Sequence, residues 1–245
     1  MTVQSDRTWP LPKSPWVMRM TWSELLFAHW RVDPSCIAAL LPPNLSLDTW
    51  DGHAWIGIVP FLMSNIAPRC CPPLPKLSRF LELNVRTYVT MNGKPGVWFF
   101  SLDAENPVAV RVARATFNLP YMDASMSMNQ DHSGTISYQS FRTHRGEQPA
   151  SLDVSYKAIG EPFAACPGTL EYWLTSRYCL YSADRKGRLF RGEIDHPPWT
   201  LANAHWDMKT NTMCKGLGVD LIGEPHLLFA QPITVQAWLA SRCTI

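Results

Sequence analysis

The sequence has few charged residues, no marked excess of either sign, and no long hydrophobic run. Charged residues make up 17% of the 245 residues, and the formal net charge is +2 at pH 7. Nucleic-acid-binding proteins concentrate Lys and Arg in basic runs or patches, so we expect no nucleic-acid partner. No apolar stretch reaches the ~18 residues of a transmembrane helix, and residues 1–15 lack the apolar segment of a secretory signal. We therefore expect no membrane partner.

The common motifs of catalytic and metal sites are also missing. There is no phosphate-binding loop, no G-x-G-x-x-G, no G-x-S-x-G, no H-E-x-x-H and no paired C-x-x-C. The seven His residues show no ligand spacing, so we expect neither a metal site nor a cofactor. The seven Cys residues are irregularly spaced, and only Cys70 and Cys71 are adjacent. This usage is typical of reduced thiols in a cytosolic protein rather than of a disulfide framework.

Tryptophan and proline are abundant by comparison. The chain contains 11 Trp and 21 Pro against 13 Gly, and hydrophobic residues make up 46% of it. Such a composition is typical of a globular protein with a sizeable core. Many Trp residues in a lightly charged chain indicate either a thick aromatic core or an aromatic-lined ligand pocket, and composition leaves both interpretations open.

Most of the chain has the periodicity of β-strands. Residues 53–63 are apolar on both faces, which predicts a strand buried on both sides. Residues 81–89 alternate, with Leu and Val on one face and Glu82, Arg86 and Tyr88 on the other. Glu82 and Arg86 are four residues apart, about 13 Å along a strand, so each needs a partner from another strand.

Asn92-Gly93 predicts a hairpin turn after residues 81–89. Helices are predicted to be few and short, at residues 35–41, where Asp33-Pro34 forms the cap, and at residues 168–176. No repeat or linker marks a boundary, so we predict a single domain over residues 1–245, with residues 1–14 as an extended arm. Many antiparallel strands in one chain of this length favour a closed barrel or a two-sheet sandwich, because either limits exposed strand edges.

Arg114 is the most conspicuous charged residue in an apolar segment. Residues 108–119 read as a strand, which places Arg114 on the same face as Val108, Val110 and Val112 and so in the interior. A buried guanidinium needs an anion or several acceptors. One hypothesis is a structural ion pair, for instance with Glu82. The other is a carboxylate-binding Arg in a cavity, because its planar fork suits bidentate recognition.

A second group of polar and aromatic residues lies later in the chain. Arg177 and Tyr178 precede a predicted strand, and His196 is followed by two prolines and Trp199. Rigid X-Pro-Pro geometry would fix the imidazole and the indole at a cavity mouth, although a well-packed loop is the alternative. His29, next to Trp30, is equally open to a structural or a functional interpretation.

Several segments together resemble the YqjF-like family of uncharacterised bacterial proteins, over about residues 15–240. The matching segments are Phe27-Ala28-His29-Trp30, Leu41-Pro42, Asp48-Thr49, Asp51-Gly52, WIGIVPF from Trp55, ELNVRTYV from Glu82, PGVWFFSLDA from Pro95, Ala113-Arg114, Leu119-Pro120-Tyr121, Arg177-Tyr178 and His196-Pro197-Pro198-Trp199. Members usually carry Glu before the Arg-Tyr pair, where this chain has Ser176. The family is placed in the acetoacetate-decarboxylase-like superfamily. The resemblance implies a mostly β fold: a single-domain antiparallel β-barrel with a central cavity, a few short helices packed outside, and a bacterial cytoplasmic location.

The resemblance also bears on catalysis. The decarboxylase uses a Lys that forms a Schiff base, with an adjacent Lys and a desolvated pocket lowering its pKa. Its motif places Pro-Lys-Lys after an Arg; matching Arg114 and Pro120 puts Tyr121 and Met122 at the two Lys positions. Neither can form an imine, so we expect no amine-catalysed decarboxylation. Tyr121 could instead donate a hydrogen bond or a proton, and Glu82 could act as a base.

Three functional hypotheses follow. The first is a β-barrel that binds a small carboxylate or aromatic ligand without turnover. The second is an imine-independent lyase or isomerase acting on a small keto or hydroxy acid, with Tyr121 and Glu82 as catalytic residues. The third is a structural or interaction protein whose barrel is filled by its own side chains. The expected ligand-binding residues are Arg114, Arg86, His196, Trp199, Arg177, Tyr178 and His29. The oligomeric state is left open, a homo-oligomer included.

Overall fold

Strands make up most of the protein, whose computed structural model describes residues 5–74 and 77–244. The described strands are β1 (Met18–Ser23), β2 (Leu25–Val32), β3 (Ser46–Leu47), β4 (Ala54–Pro68), β5 (Phe80–Met91), β6 (Lys94–Ala104), β7 (Tyr121–Gln130), β8 (Ile136–Arg142), β9 (Ser151–Ala164), β10 (Cys179–Ala183), β11 (Leu189–Asp195), β12 (Thr200–Asn211), β13 (His226–Ala230), β14 (Ile233–Ala237) and β15 (Ser241–Arg242). The described helices are α1 (Pro34–Ala38), α2 (Pro107–Phe117) and α3 (Leu170–Thr175), with a 3₁₀ turn at Lys215–Leu217. The prediction of a mostly β chain with short helices is confirmed.

The strands form one sheet that closes on itself in two rings. The smaller ring runs β1-β14-β11-β10-β6-β5-β4 and returns to β1. The larger ring runs β4-β5-β6-β7-β8-β9-β12-β13-β2 and returns to β4. All of these pairings are antiparallel except those of β6 with β7 and with β10. Because β4, β5 and β6 belong to both rings, each has one face toward the interior of the smaller ring and the other face toward the interior of the larger ring.

The shared strands explain why β4 is apolar throughout. Val59, Phe61 and Met63 pack in the core of the smaller ring, whereas Ile56 and Ile58 pack in the core of the larger one. The side chains alternate because successive residues of a strand point to opposite faces. The predicted burial of this strand on both sides is confirmed.

Most of the short-range predictions are confirmed. β5 and β6 are joined by the turn at Asn92-Gly93, where both residues have positive φ, as such a tight turn requires. The Asp33 side chain caps α1 by accepting from Ser35 N, and Pro34 follows it. The periodicity of the sequence did not, however, predict β9 and β12, the two longest of the strands that belong only to the larger ring. The first half of β9 does alternate, with buried Leu152, Val154 and Tyr156 between polar residues, whereas β12 is mostly exposed and shows no such alternation.

The strand predicted over residues 108–119 is wrong. This segment is helix α2, which starts at Asn106, whose side-chain oxygen accepts from Val108 N and Ala109 N. Pro107 occupies the first helical position, and Asn118 ends the helix in the left-handed conformation. The valines at every second position imitated a strand, but Asn-Pro is the same capping arrangement that predicted α1 correctly. Helix α2 connects the parallel strands β6 and β7.

The N-terminal segment is anchored against the smaller ring. Of the predicted arm over residues 1–14, residues 1–4 lie outside the described part of the chain. Arg7 donates to the backbone oxygens of Tyr178 and Ile194 and forms an ion pair with Glu193. Within residues 5–74 and 77–244, no helix is long and apolar enough to cross a membrane.

Candidate functional site

A cavity of about 310 Å³ lies inside the smaller ring. Most of its wall is apolar or aromatic, because the inward-facing residues of β1, β4, β6 and β10 are apolar. The aromatic part of the wall includes Trp22, Phe27, Phe61, Phe99 and Trp199. Helix α2 lies along the cavity with Val108 and Val112, which are both exposed, so the helix forms part of the cavity mouth.

One row of polar side chains crosses this wall, along strand β5. Glu82, Asn84 and Arg86 occupy alternate positions and therefore share the face that lines the cavity. The opposite face of the strand carries Leu83 and Val85, which pack in the core of the larger ring. The two faces of the strand predicted from the alternation therefore line two different interiors, the cavity of the smaller ring and the core of the larger ring.

Glu82 and Tyr121 form the acidic end of the row. The Tyr121 hydroxyl donates to Glu82 Oε2 across 3.0 Å, and the Glu82 backbone oxygen accepts from the Tyr138 hydroxyl across 2.8 Å. Burial raises the pKa of Glu82 to about 8, although the hydrogen bond from Tyr121 opposes the rise. Burial also raises the pKa of Tyr121 well above its ordinary value. At neutral pH the pair is therefore an uncharged carboxylic acid and an uncharged phenol.

Arg86 and Arg177 form the cationic end. Arg86 Nη2 lies 3.3 Å from both the Tyr88 hydroxyl and the Leu174 backbone oxygen. Within residues 5–74 and 77–244, no carboxylate lies within ion-pair distance of Arg86. Arg177 does have a carboxylate partner, Asp48, whose Oδ2 is 2.6 Å from Arg177 Nη1. Both guanidinium groups lie over the ring of Tyr88, at 5.6 and 4.8 Å from its centre.

Four buried polar atoms of cavity-lining residues have no hydrogen-bond partner in the described chain. They are Trp22 Nε1, Asn84 Oδ1, Arg86 Nε and Arg177 Nη2. A buried polar atom without a partner costs stability, and such atoms are rare in native proteins. Four of the buried atoms without a partner among the described residues thus belong to this one cavity wall.

His196 and Trp199 lie on the cavity wall. The His196 ring stacks on Tyr178 at 4.6 Å between centres, and its Nδ1 lies 2.7 Å from the Pro197 oxygen. Trp199 Nε1 donates to the Thr175 oxygen across 3.0 Å. Burial lowers the pKa of His196, so the imidazole is neutral at pH 7. Both side chains are thus held in place by backbone oxygens.

Three of the expected ligand-binding residues do not line the cavity, and two of them, His29 and Tyr178, are buried. His29 is fully buried, and its Nε2 lies 2.6 Å from the Tyr88 hydroxyl. Burial and the nearby Arg86 lower the pKa of His29 well below its usual value. Tyr178 accepts a hydrogen bond from the Asp6 backbone and packs behind His196. These two residues support the wall from behind.

Arg114 is not buried, so its prediction as an interior guanidinium is wrong. It lies on the exposed side of α2 and donates to the Tyr121 backbone oxygen across 2.6 Å. The proposed ion pair with Glu82 is also wrong, because Glu82 is paired with Tyr121. The error follows from taking a helix at the edge of the fold for a buried strand: Val110 is the only buried residue of α2, and Val108 and Val112 are exposed, as Arg114 is. The unpaired arginine of the interior is Arg86.

Asn84 was missed as a candidate, although its alternation with Glu82 and Arg86 would have found it. No lysine lies among the described residues that line the cavity, and Tyr121 stands on the wall where the resemblance placed the first Lys. No group of His, Cys, Asp and Glu within residues 5–74 and 77–244 has the arrangement of a metal site.

Comparison with known proteins gives a consistent result. The family model DUF2071, described as an uncharacterized conserved protein, matches residues 19–234. The uncharacterized protein YqjF of Bacillus subtilis (strain 168) is 42% identical over 229 residues, which are 93% of each chain.

Solved structures share the fold at low sequence identity. The enduracididine biosynthesis enzyme MppR complexed with pyruvate superposes with a TM-score of 0.64 and 12% identity, over 94% of this chain and 91% of that chain. An acetoacetate-decarboxylase-like enzyme from Sphingomonas wittichii RW1 gives 0.63 and 11%, over 98% of both chains. The acetoacetate decarboxylase of Legionella pneumophila gives 0.62 and 11%, over 100% and 97%. At these identities the similarity extends to the fold alone.

Proposed function

The chain belongs to the DUF2071 family and has the fold of acetoacetate-decarboxylase-like enzymes, and on this basis we propose that its cavity binds a small apolar monocarboxylate. The carboxylate accepts hydrogen bonds from Arg86 and Arg177, and the hydrocarbon part lies against the aromatic wall. The same proposal describes the smaller ring as a β-barrel that encloses a ligand site.

The uncompensated charge of Arg86 carries this proposal. Asp48 neutralises Arg177, and Glu193, the other ionised carboxylate on the wall, is held by Arg7 and Arg191. Glu82 is uncharged at pH 7, because burial raises its pKa to about 8. One positive charge therefore remains in the cavity, which a monoanion would neutralise. Arg86 Nε and Arg177 Nη2, which lack partners, are suitable donors to its two oxygens.

The size and lining of the cavity favour a small apolar ligand. A volume of about 310 Å³ is at the low end of ligand pockets, which span ~300–1,000 Å³. A cavity of this volume also argues against the hypothesis that the smaller ring is filled by its own side chains. Apolar walls with a few converging polar groups are typical of small-molecule sites.

Titration calorimetry of the purified protein with aliphatic and aromatic monocarboxylates, each beside its neutral amide, tests this function. We expect acids to bind more tightly than amides, and Arg86→Gln to weaken acid binding by about ten- to a hundredfold, the value of a charged hydrogen bond. Arg31→Gln is the matched control, because Arg31 is exposed and does not line the cavity. Equal affinity of acids and amides, or unchanged binding in Arg86→Gln, would contradict the proposal.

Acid–base catalysis is a second candidate, favoured by the uncharged Glu82 beside Tyr121. Above pH 8 an ionised Glu82 can remove a proton from the carbon next to a ligand carbonyl, while the Tyr121 hydroxyl hydrogen-bonds to the carbonyl oxygen. Return of a deuteron in D₂O would exchange that hydrogen in a keto acid without net reaction. We expect an exchange rate that rises through pH 8 in the wild type and is lost in Glu82→Gln. Exchange no faster than in buffer would exclude this activity for the keto acid used.

A further inference from the structure

Asn84 is a polar residue of the cavity wall that the proposed carboxylate site does not use. The residue is 5% exposed, and Oδ1 has no hydrogen-bond partner in the described chain. An amide oxygen is a hydrogen-bond acceptor, so its burial without a donor is costly. A ligand group that donates a hydrogen bond to Oδ1 would remove that cost.

The neighbours of Asn84 on β5 both turn to other partners. Glu82 accepts from Tyr121, and Arg86 Nη2 lies 3.3 Å from both the Tyr88 hydroxyl and the Leu174 backbone oxygen. Alternate residues of a strand are about 7 Å apart along the backbone. An ionised carboxylate has no hydrogen to donate to Asn84 Oδ1, so the ligand group that binds Asn84 differs from the one that binds Arg86.

We infer that the ligand carries an uncharged hydroxyl, several bonds away from its carboxylate, and that this hydroxyl donates a hydrogen bond to Asn84 Oδ1. The inference rests on the proposed carboxylate site. It defines the ligand class as apolar carboxylic acids that are hydroxylated at the end remote from the carboxylate. Acids whose only hydroxyl is on the carbon next to the carboxylate would leave Asn84 without a partner.

A rigid pair of acids tests this assignment: 3-phenylpropanoate and 3-(4-hydroxyphenyl)propanoate differ only in an oxygen at the far end of the ring. Their affinities are measured by calorimetry for the wild type, Asn84→Leu, Asn84→Ala and Arg86→Gln, after circular dichroism has shown that each variant is folded. We expect the wild type to bind the hydroxylated acid about ten- to a hundredfold more tightly, because the unsubstituted acid leaves a buried amide unpaired. Both Asn84 variants should lose this preference.

The outcomes separate the role of Asn84 from the carboxylate site. Equal binding of the two acids to the wild type would overturn the assignment of Asn84, even where Arg86→Gln weakens both and so supports the carboxylate site. A preference that persists in the Asn84 variants would also overturn it. A preference lost in the Asn84 variants, together with unchanged affinity for both acids in Arg86→Gln, would support Asn84 and contradict the carboxylate site. If neither acid binds the wild type at millimolar concentration, both conclusions fail. The comparison of two ligands on the wild type remains decisive even where a variant does not fold.

Discussion

Replacing Glu82 with Gln should remove a loss of stability that the wild type undergoes as pH rises from 6.5 to 8. Glu82 is 2% exposed, and burial raises its pKa from 4.5 to about 8. The folded state therefore keeps the proton up to about pH 8, whereas the unfolded chain releases it near pH 4.5. Stability from this group is fully present below the unfolded pKa and is lost as pH rises through the folded pKa.

The size of the effect follows from the two pKa values. While the folded state is protonated and the unfolded state ionised, each pH unit costs about 1.4 kcal/mol of unfolding free energy. Between pH 6.5 and 8 the loss sums to about 1.5 kcal/mol, because the slope decreases as the folded carboxyl begins to ionise. Gln keeps the shape of the side chain and cannot ionise, so the variant lacks this loss.

Urea unfolding followed by tryptophan fluorescence, at four pH values from 6.5 to 8, measures the difference between wild type and variant. Subtracting the Glu82→Gln profile removes the contributions of other groups, His29 and His196 among them. Glu147→Gln is the matched control, because Glu147 is exposed, and its profile should run parallel to the wild type. A wild-type-minus-variant difference that stays constant or grows with pH would refute a neutral Glu82 in the folded protein.

Three further predictions concern residues around the cavity. Arg142→Ala should cost about 3 kcal/mol at pH 7 in urea unfolding, because it leaves the fully buried Asp103 without its ion-pair partner; a loss below 1 kcal/mol would contradict this. Gly57→Ala should lower the melting temperature, since its Cβ would lie 2.9 Å from the His29 ring; Gly192→Ala, whose nearest atom is the flexible end of a leucine side chain at 3.2 Å, should have the smaller effect. Borohydride reduction in the presence of pyruvate or acetoacetate should leave the intact mass unchanged, because no lysine lies among the described cavity-lining residues; a mass gain on a lysine would show that imine chemistry occurs.

Local patterns in the sequence predicted much of the fold. The alternation of β5 predicted that Glu82 and Arg86 share a face, and the apolar run of β4 predicted burial on both sides. Periodicity failed for α2, where valines at alternate positions outweighed the capping residues Asn106 and Pro107. The resulting error placed Arg114 in the interior and made it, rather than Arg86, the main candidate for binding a carboxylate.

The candidate site could be predicted only in part. Side-chain alternation determines which residues of a strand face the same way, because it is a property of the local backbone. It does not determine what lies opposite them. Tyr121 reaches Glu82 from β7, and Asp48 reaches Arg177 across 129 positions of the chain. Such pairings depend on how strands distant in sequence close into rings.

The sequence by itself therefore determined the family, the mostly β character of the chain and the polar face of β5. Only the tertiary structure decided which polar groups are neutralised. Burial raises the pKa of Glu82 to about 8. Among the described residues, Arg86 has no carboxylate within ion-pair distance, and Asn84 Oδ1 has no hydrogen-bond partner. The burial of a group and the distances to its partners depend on how all the strands enclose the cavity, so no single segment of the sequence determines them.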